Sequence, residues 1–130
     1  MLANARMTQQ RVALGKTGED LAVAELERRG YAIVARRWRN RAGEIDIIAR
    51  DGETLVFVEV KAREDHDFGD AAESVTMRKR RTIVRLAKAY VVEQRWIDRP
   101  CRFDVVTIHR DGGRSVVTVY PNAFDECGRA

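Results

Sequence analysis

Gly43-Glu44-Ile45-Asp46-Ile47-Ile48-Ala49, then Asp51-Gly52, then Val56-Phe57-Val58-Glu59-Val60-Lys61 is the stretch on which the fold turns. Glu44 to Arg50 and Thr54 to Ala62 are rich in Ile, Val and Phe, residues that suit a pleated, half-buried strand. Asp-Gly between two such runs is a strong hairpin signal. With Asp51 and Gly52 as a two-residue turn, Arg50 faces Glu53, Asp46 faces Phe57 and Glu44 faces Glu59. Facing residues share a side of the sheet, and side chains alternate along each strand, so Asp46, Glu59 and Lys61 project from one face. Asp46 and Glu59 are then diagonal neighbours, with Cα atoms roughly 7–8 Å apart. A four-residue loop keeps this parity; a three-residue loop sends Asp46 to the other side.

Working outward, Tyr31 to Trp38 reads as a strand ahead of the hairpin. Before it, Leu14, Leu21, Ala22 and Leu26 recur near a 3.6-residue period, which predicts a helix from near Thr8 to Arg29, with Gly30 just past its end. After the hairpin comes a polar loop, Ala62 to Glu73, and then a second helix. Ser74 is its expected N-cap, the end falls at about Gln94, and Ile83, Leu86, Ala87, Tyr90 and Val91 form its apolar stripe. Arg102 to His109 and Ser115 to Tyr120 read as strands joined across Asp111-Gly112-Gly113. A helix between two strands implies a crossover, so the sheet is expected to be mixed and the class α/β. The chain reads as one domain over residues 1–130, its core at about 12–124 and its ends looser.

The 130 residues are 45% hydrophobic and 34% charged, a globular rather than a disordered composition. No apolar run approaches the twenty or so residues of a membrane span, and the first 17 residues lack the apolar core of a secretory signal. Cys101 and Cys127 lack the spacing of a zinc site and read as two reduced thiols. A cytoplasmic location is the default expectation. The net charge of +4 and the pI of about 9.4 suit a polyanionic partner without requiring one.

Asp46, Glu59 and Lys61 are ionisable residues set inside apolar strands, and burying an ionised group is costly unless it is paired, hydrogen-bonded or bound to metal. One answer is a structural ion pair of Lys61 with Asp46 or Glu59. The other is a hard divalent cation, Mg2+ or Mn2+, taking carboxylate oxygens from Asp46 and Glu59 and a third oxygen from the Val60 carbonyl. Such a cation polarises a phosphoryl oxygen and acidifies a bound water. Lys61 then either orients or deprotonates that water or stabilises developing charge. Three charges converging among Ile, Val and Phe shift the balance toward a site.

Asp46 followed by Glu59-Val60-Lys61 resembles the signature of the PD-(D/E)xK nuclease superfamily. A longer set extends the likeness: GKTGEDLAVA from Gly15 to Ala24, Gly30-Tyr31, the Gly43 to Ala49 block, Phe57 to Lys61 with Arg63, Lys79, Ala87 to Tyr90, Arg102 to Val106, and Asn122-Ala123-Phe124. Over roughly Leu14 to Phe124 the chain resembles the YraN family of small bacterial proteins, itself similar to the Holliday-junction resolvases of that superfamily. The resemblance implies a restriction-endonuclease-like α-β-β-β-α-β core, a mixed sheet flanked by helices. It also implies that Glu19, on the first helix, completes the acidic cluster, and that structured or branched DNA is cleaved. The proline that precedes the aspartate in the superfamily's name is replaced here by Glu44-Ile45.

Basic residues surround this stretch. Arg78, Lys79, Arg80 and Arg81 open the second helix, where cations oppose the macrodipole and an external anion would offset the cost. Arg36, Arg37, Arg39 and Arg41 form another cluster. Arg39, Arg41, Arg78, Lys79 and Arg81 from these clusters, with Arg63 at the end of the Glu59 strand, are the expected nucleic-acid contacts, against the plainer view of solvated basic faces. Trp38 is either a stacking platform or core. The loop Glu64 to Asp70, with Asp65, His66 and Asp67, reads as an unliganded turn or a flap. Asp104 is expected to be structural and paired with an arginine. No Walker pattern or nucleophilic serine motif is present. The expected function is a metal-dependent endonuclease. A non-cleaving nucleic-acid-binding module and an interaction domain with structural charges are the alternatives, and a homodimer is left open.

Overall fold

The computed structural model describes residues 17–63 and 74–130. In chain order these form α1 (Gly18–Arg28), β1 (Ala32–Asn40), β2 (Gly43–Asp51), β3 (Thr54–Arg63), α2 (Met77–Glu93), β4 (Cys101–Asp111) and β5 (Arg114–Phe124). The strands make one mixed sheet in the order β1-β2-β3-β4-β5. All neighbours are antiparallel except β3 and β4, which run parallel because α2 carries the chain across between them.

The two helices cover opposite faces of this sheet. Ala22 and Leu26 of α1 pack with Ile47, Ala49, Val56, Val58, Val106 and Val119. Ile83, Val84, Leu86, Ala87 and Tyr90 of α2 pack with Ile48, Leu55, Phe57, Phe103 and Phe124 on the other side. The central strands are therefore apolar on both faces, which is why β2 and β3 read as near-continuous hydrophobic runs. Trp38 packs, half-buried, against the α2 layer, edge-on to Tyr90 with ring centroids 5.4 Å apart.

Three local expectations need correction. The first concerns α1, which begins at Gly18. Thr17 is extended at its N-cap, and its hydroxyl accepts the Asp20 amide while the Asp20 carboxylate accepts the Thr17 amide, a capping box that starts this helix. The expected turns before Thr17 lie outside the described residues. The second concerns α2, whose cap is Thr76, not Ser74: the Thr76 hydroxyl accepts the Lys79 amide at 3.1 Å. The third concerns the β2–β3 hairpin, which turns on Gly52-Glu53, with Asp51 opposite Thr54 and Arg50 opposite Leu55. Gly52 adopts a φ of +61°, which glycine accepts without strain. The register is thus two residues away from that of an Asp51-Gly52 turn, and the parity of the faces is unchanged.

At its other end β2 departs from strict alternation. Ile47 and Ala49 face α1, yet Ile45 joins Ile48 in the α2 layer. The ladder to β3 stops at Ile47–Val58, and the two strands part at Asp46. Gly43, at a φ of +151°, lets the start of β2 come close under α2, where an added Cβ would lie 3.2 Å from the Thr82 methyl group. At the far edge, β5 bulges opposite Phe103 to Val105; Pro121 sits in that bulge, where no ladder amide is needed.

Candidate active site at the parting of two strands

Asp46 stands where the β2–β3 ladder ends. Its Oδ2 accepts the Val60 amide at 2.8 Å, so the side chain replaces the backbone partner that β2 no longer offers. One further step of the observed register would put Asp46 directly opposite Glu59 rather than diagonal to it. The two carboxylates meet: the Asp46 carboxyl acts on Glu59 both as a hydrogen-bond partner and as a charge.

Glu59 is only 8% exposed. Burial, first, and then the neighbouring Asp46 push its carboxyl from the ordinary 4.5 up to about 8. The Lys79 and Lys61 charges pull the other way and do not prevail. Lys79 reaches across from the first turn of α2, its Nζ 3.9 Å from Glu59 Oε2, but its side chain is 41% exposed and solvent screens the attraction. Glu59 Oε1 has no hydrogen-bond partner, the only buried side-chain oxygen or nitrogen among the described residues in that position. An unsatisfied buried acceptor costs about 1–3 kcal/mol, and such a group calls for a reason, whether strain, a catalytic role, or a water or ion that completes it.

Lys61 follows Glu59 by two residues on β3 and is exposed. No carboxylate lies within 4.0 Å of its amine among the described residues. Val60, between them, is half-buried.

Glu19 lies in the opposite layer, on α1. Arg36 Nε holds its Oε1 at 2.9 Å and Arg37 Nε holds its Oε2 at 3.1 Å. Arg36 also holds Asp20 at 2.6 Å, and chiefly that bond draws the Asp20 carboxyl down to about 2. The arginine cluster of β1 is thus largely answered from within the protein. Arg39 likewise reaches Glu44 at 3.3 Å, while Arg41 is exposed in the β1–β2 turn and Arg63 closes β3. Arg78 and Arg81 are exposed on α2. The loop residues Asp65, His66 and Asp67 lie outside the described residues. Among the described residues no three His, Cys, Asp or Glu side chains converge as a metal cluster; the pair Asp46 and Glu59 stands by itself. No helix there is long and apolar enough to cross a membrane, and Cys101 and Cys127 are both free and exposed.

Sequence reasoning missed Arg80. It is buried within the cationic run; its Nε donates to the Val75 carbonyl and its guanidinium to the Gly128 carbonyl, 2.8 and 2.9 Å. These bonds tie the C-terminal turn to the start of α2, the end that carries Lys79. The one signal in the sequence is its spacing, three residues ahead of Ile83 on the apolar stripe. Lys79 was expected as a phosphate contact, and its approach to Glu59 had no sequence signal.

Comparison with known proteins gives a consistent answer. A family model described as "Uncharacterised protein family UPF0102" matches residues 18–108. A UPF0102 protein of Geobacter metallireducens is 44% identical over 119 residues, covering 92% of this chain and 98% of the relative. Similar proteins from Pseudomonas aeruginosa (42% over 114 residues, 85% of this chain and 91% of the relative) and Syntrophotalea carbinolica (43% over 122 residues, 94% and 99%) carry the same family name.

Proposed function

The chain belongs to the uncharacterised protein family UPF0102, and from the geometry of its acidic pair we propose that it is a divalent-metal-dependent hydrolase of phosphodiesters in nucleic acid, with structured or branched DNA as the substrate. One observation supports this above the others: Glu59 Oε1 is buried, without a donor, beside a second carboxylate at the point where β2 and β3 part.

Two adjacent carboxylates with an unanswered buried oxygen fit a hard cation, which prefers oxygen ligands and keeps several waters. Asp46 and Glu59 would hold Mg2+ or Mn2+, with the Val60 carbonyl as a third oxygen. The ion would supply Lewis acidity and a more acidic bound water. The chain's own groups do the rest. The Val60 amide fixes the Asp46 carboxylate. Lys61 presents an exposed amine, two residues from Glu59, either to a phosphoryl oxygen as charge develops or to the attacking water. Glu19 is the lesser member of the set: it lies in the opposite layer, on α1, with Arg36 and Arg37 holding its oxygens, and would serve only as an auxiliary acid.

The test is cleavage of branched and single-stranded DNA in the presence of Mn2+. The wild-type protein should cut, and Asp46→Ala and Lys61→Ala should each lose about 10²- to 10⁴-fold in rate, the range for removing a positioned acid–base or charge-stabilising group. Equal cutting by all three proteins would refute the assignment. Binding without cutting by any of them would leave a nucleic-acid-binding module.

A further inference from the structure

Four cations line the outer side of α2. Arg78, Arg81, Arg85 and Lys88 are spaced three, four and three residues apart, which sets them on one stripe of a 3.6-residue helix. All four are exposed, and the apolar residues Ile83, Leu86, Ala87 and Tyr90 occupy the opposite side, against the sheet. Among the described residues, none of the four lies within 4.0 Å of a carboxylate. The arginines of β1 differ, for Arg36, Arg37 and Arg39 all have acidic partners. The first turn of α2 also contains no acidic residue, so Arg78 sits at the positive end of the helix dipole with no carboxylate on that turn to offset it.

We infer that this stripe is the track for the sugar–phosphate backbone of a nucleic-acid strand; the choice of nucleic acid as the polyanion rests on the function proposed above. The ten residue steps from Arg78 to Lys88 rise about 15 Å. At about 3.4 Å per nucleotide along one strand, that length meets about four phosphates. Arg78 adjoins Lys79, whose amine reaches from the sheet-facing side of α2 to within 3.9 Å of Glu59, so the track begins at the same end of α2 as the acidic pair and leads away from it. Contacts of this kind position a strand and carry no base preference.

The test measures binding apart from cutting. Fluorescence anisotropy of a labelled single strand and of a branched DNA is followed with the full chain in excess chelator, over salt from roughly 50 to 200 mM. Four phosphate contacts predict that affinity falls about 50- to 150-fold over this range. The combined variant Arg78→Gln, Arg81→Gln, Arg85→Gln, Lys88→Gln should lose most of that salt dependence. Glutamine is a good helix former, and a thermal melt checks the fold. Each single variant should lower the log–log slope by about 0.7 to 0.9, which keeps the test open if the combined variant unfolds. Arg28→Gln, on α1 and paired with Glu25, should leave the slope unchanged. An unaltered slope in the α2 variants, or tighter binding to anionic lipid vesicles than to DNA, would overturn the track. Stripe-dependent binding with no cutting in Mn2+ refutes the proposed hydrolysis and leaves the track standing, whereas cutting with stripe-independent binding refutes the track alone.

Discussion

Two buried carboxylates on adjacent strands have opposite fates. Asp104 on β4 is fully buried and pairs in register with Val58; Glu59 is the next residue on β3 and pairs with Val105. One step along the ladder puts them on opposite faces of the sheet. Asp104 is completely answered. Its Oδ1 accepts Arg102 Nε and the Asn122 amide, both at 2.9 Å, and its Oδ2 accepts the Tyr31 hydroxyl at 3.1 Å and the Arg102 guanidinium at 3.2 Å. Arg102 also donates to the Tyr31 hydroxyl and reaches Asp51 at 2.9 Å, so one charge network joins the end of α1, the β2–β3 hairpin, β4 and β5. Burial, followed by the Asp104 charge, pushes the Tyr31 hydroxyl up to about 12, and it remains a donor at any physiological pH. Glu59, 8% exposed, has a second acid and a half-exposed lysine 3.9 Å away for company. A buried acid that the fold satisfies is structural. One that the fold leaves open costs stability and is a candidate for a ligand.

The largest effect should come from the satisfied member. Asp104→Ala leaves the Arg102 guanidinium with Asp51 alone as a carboxylate partner, strands the Tyr31 hydroxyl proton and frees the Asn122 amide, and urea unfolding should show a loss of about 3–5 kcal/mol, as for other broken buried pairs. A loss under about 1 kcal/mol would erase the contrast. Next, Mn2+ at a hundred times its dissociation constant should stabilise the wild-type fold by about 2.7 kcal/mol, read as a raised melting temperature. The gain should vanish in Glu59→Gln.

Glu59→Gln in metal-free protein should itself stabilise by about 1–3 kcal/mol at pH 9, because it removes a charge that the interior disfavours. The dependence on pH has a definite sign. The Glu59 carboxyl is raised in the folded chain, so its contribution is fully present below the ordinary 4.5 and is lost as pH rises through about 8. Unfolding measured from pH 5 to 9 should therefore show a decline in the wild type that Glu59→Gln flattens. Parallel curves would mean that Glu59 is solvated like any surface acid. Smallest of all, Lys79→Gln should change stability by less than about 1 kcal/mol, since the 3.9 Å contact is half open to water.

Much of this was legible beforehand. Runs rich in Ile, Val and Phe, with the turn residues between them, placed all five strands within a few residues of their ends, and the helix lying between two strands implied the parallel step at β3–β4. Asp104 beside Arg102 announced a pair. Asp46 and Glu59 stood out as acids within apolar runs, and their common face followed from parity, which survives any even shift of register. Less legible were the contacts made at long range. Glu19 carries no mark of the two arginines that hold it from 17 and 18 residues away, and Arg80 is hidden in a run of cations.

What the sequence by itself determined was element type, order and face, because alternation, helical period and caps are local properties of a few neighbouring residues. Only the tertiary structure decided which register the hairpin adopts, where β2 leaves β3, and which acid keeps an unanswered oxygen. Those depend on whether a donor from another layer arrives within about 3 Å, and no local pattern encodes that distance.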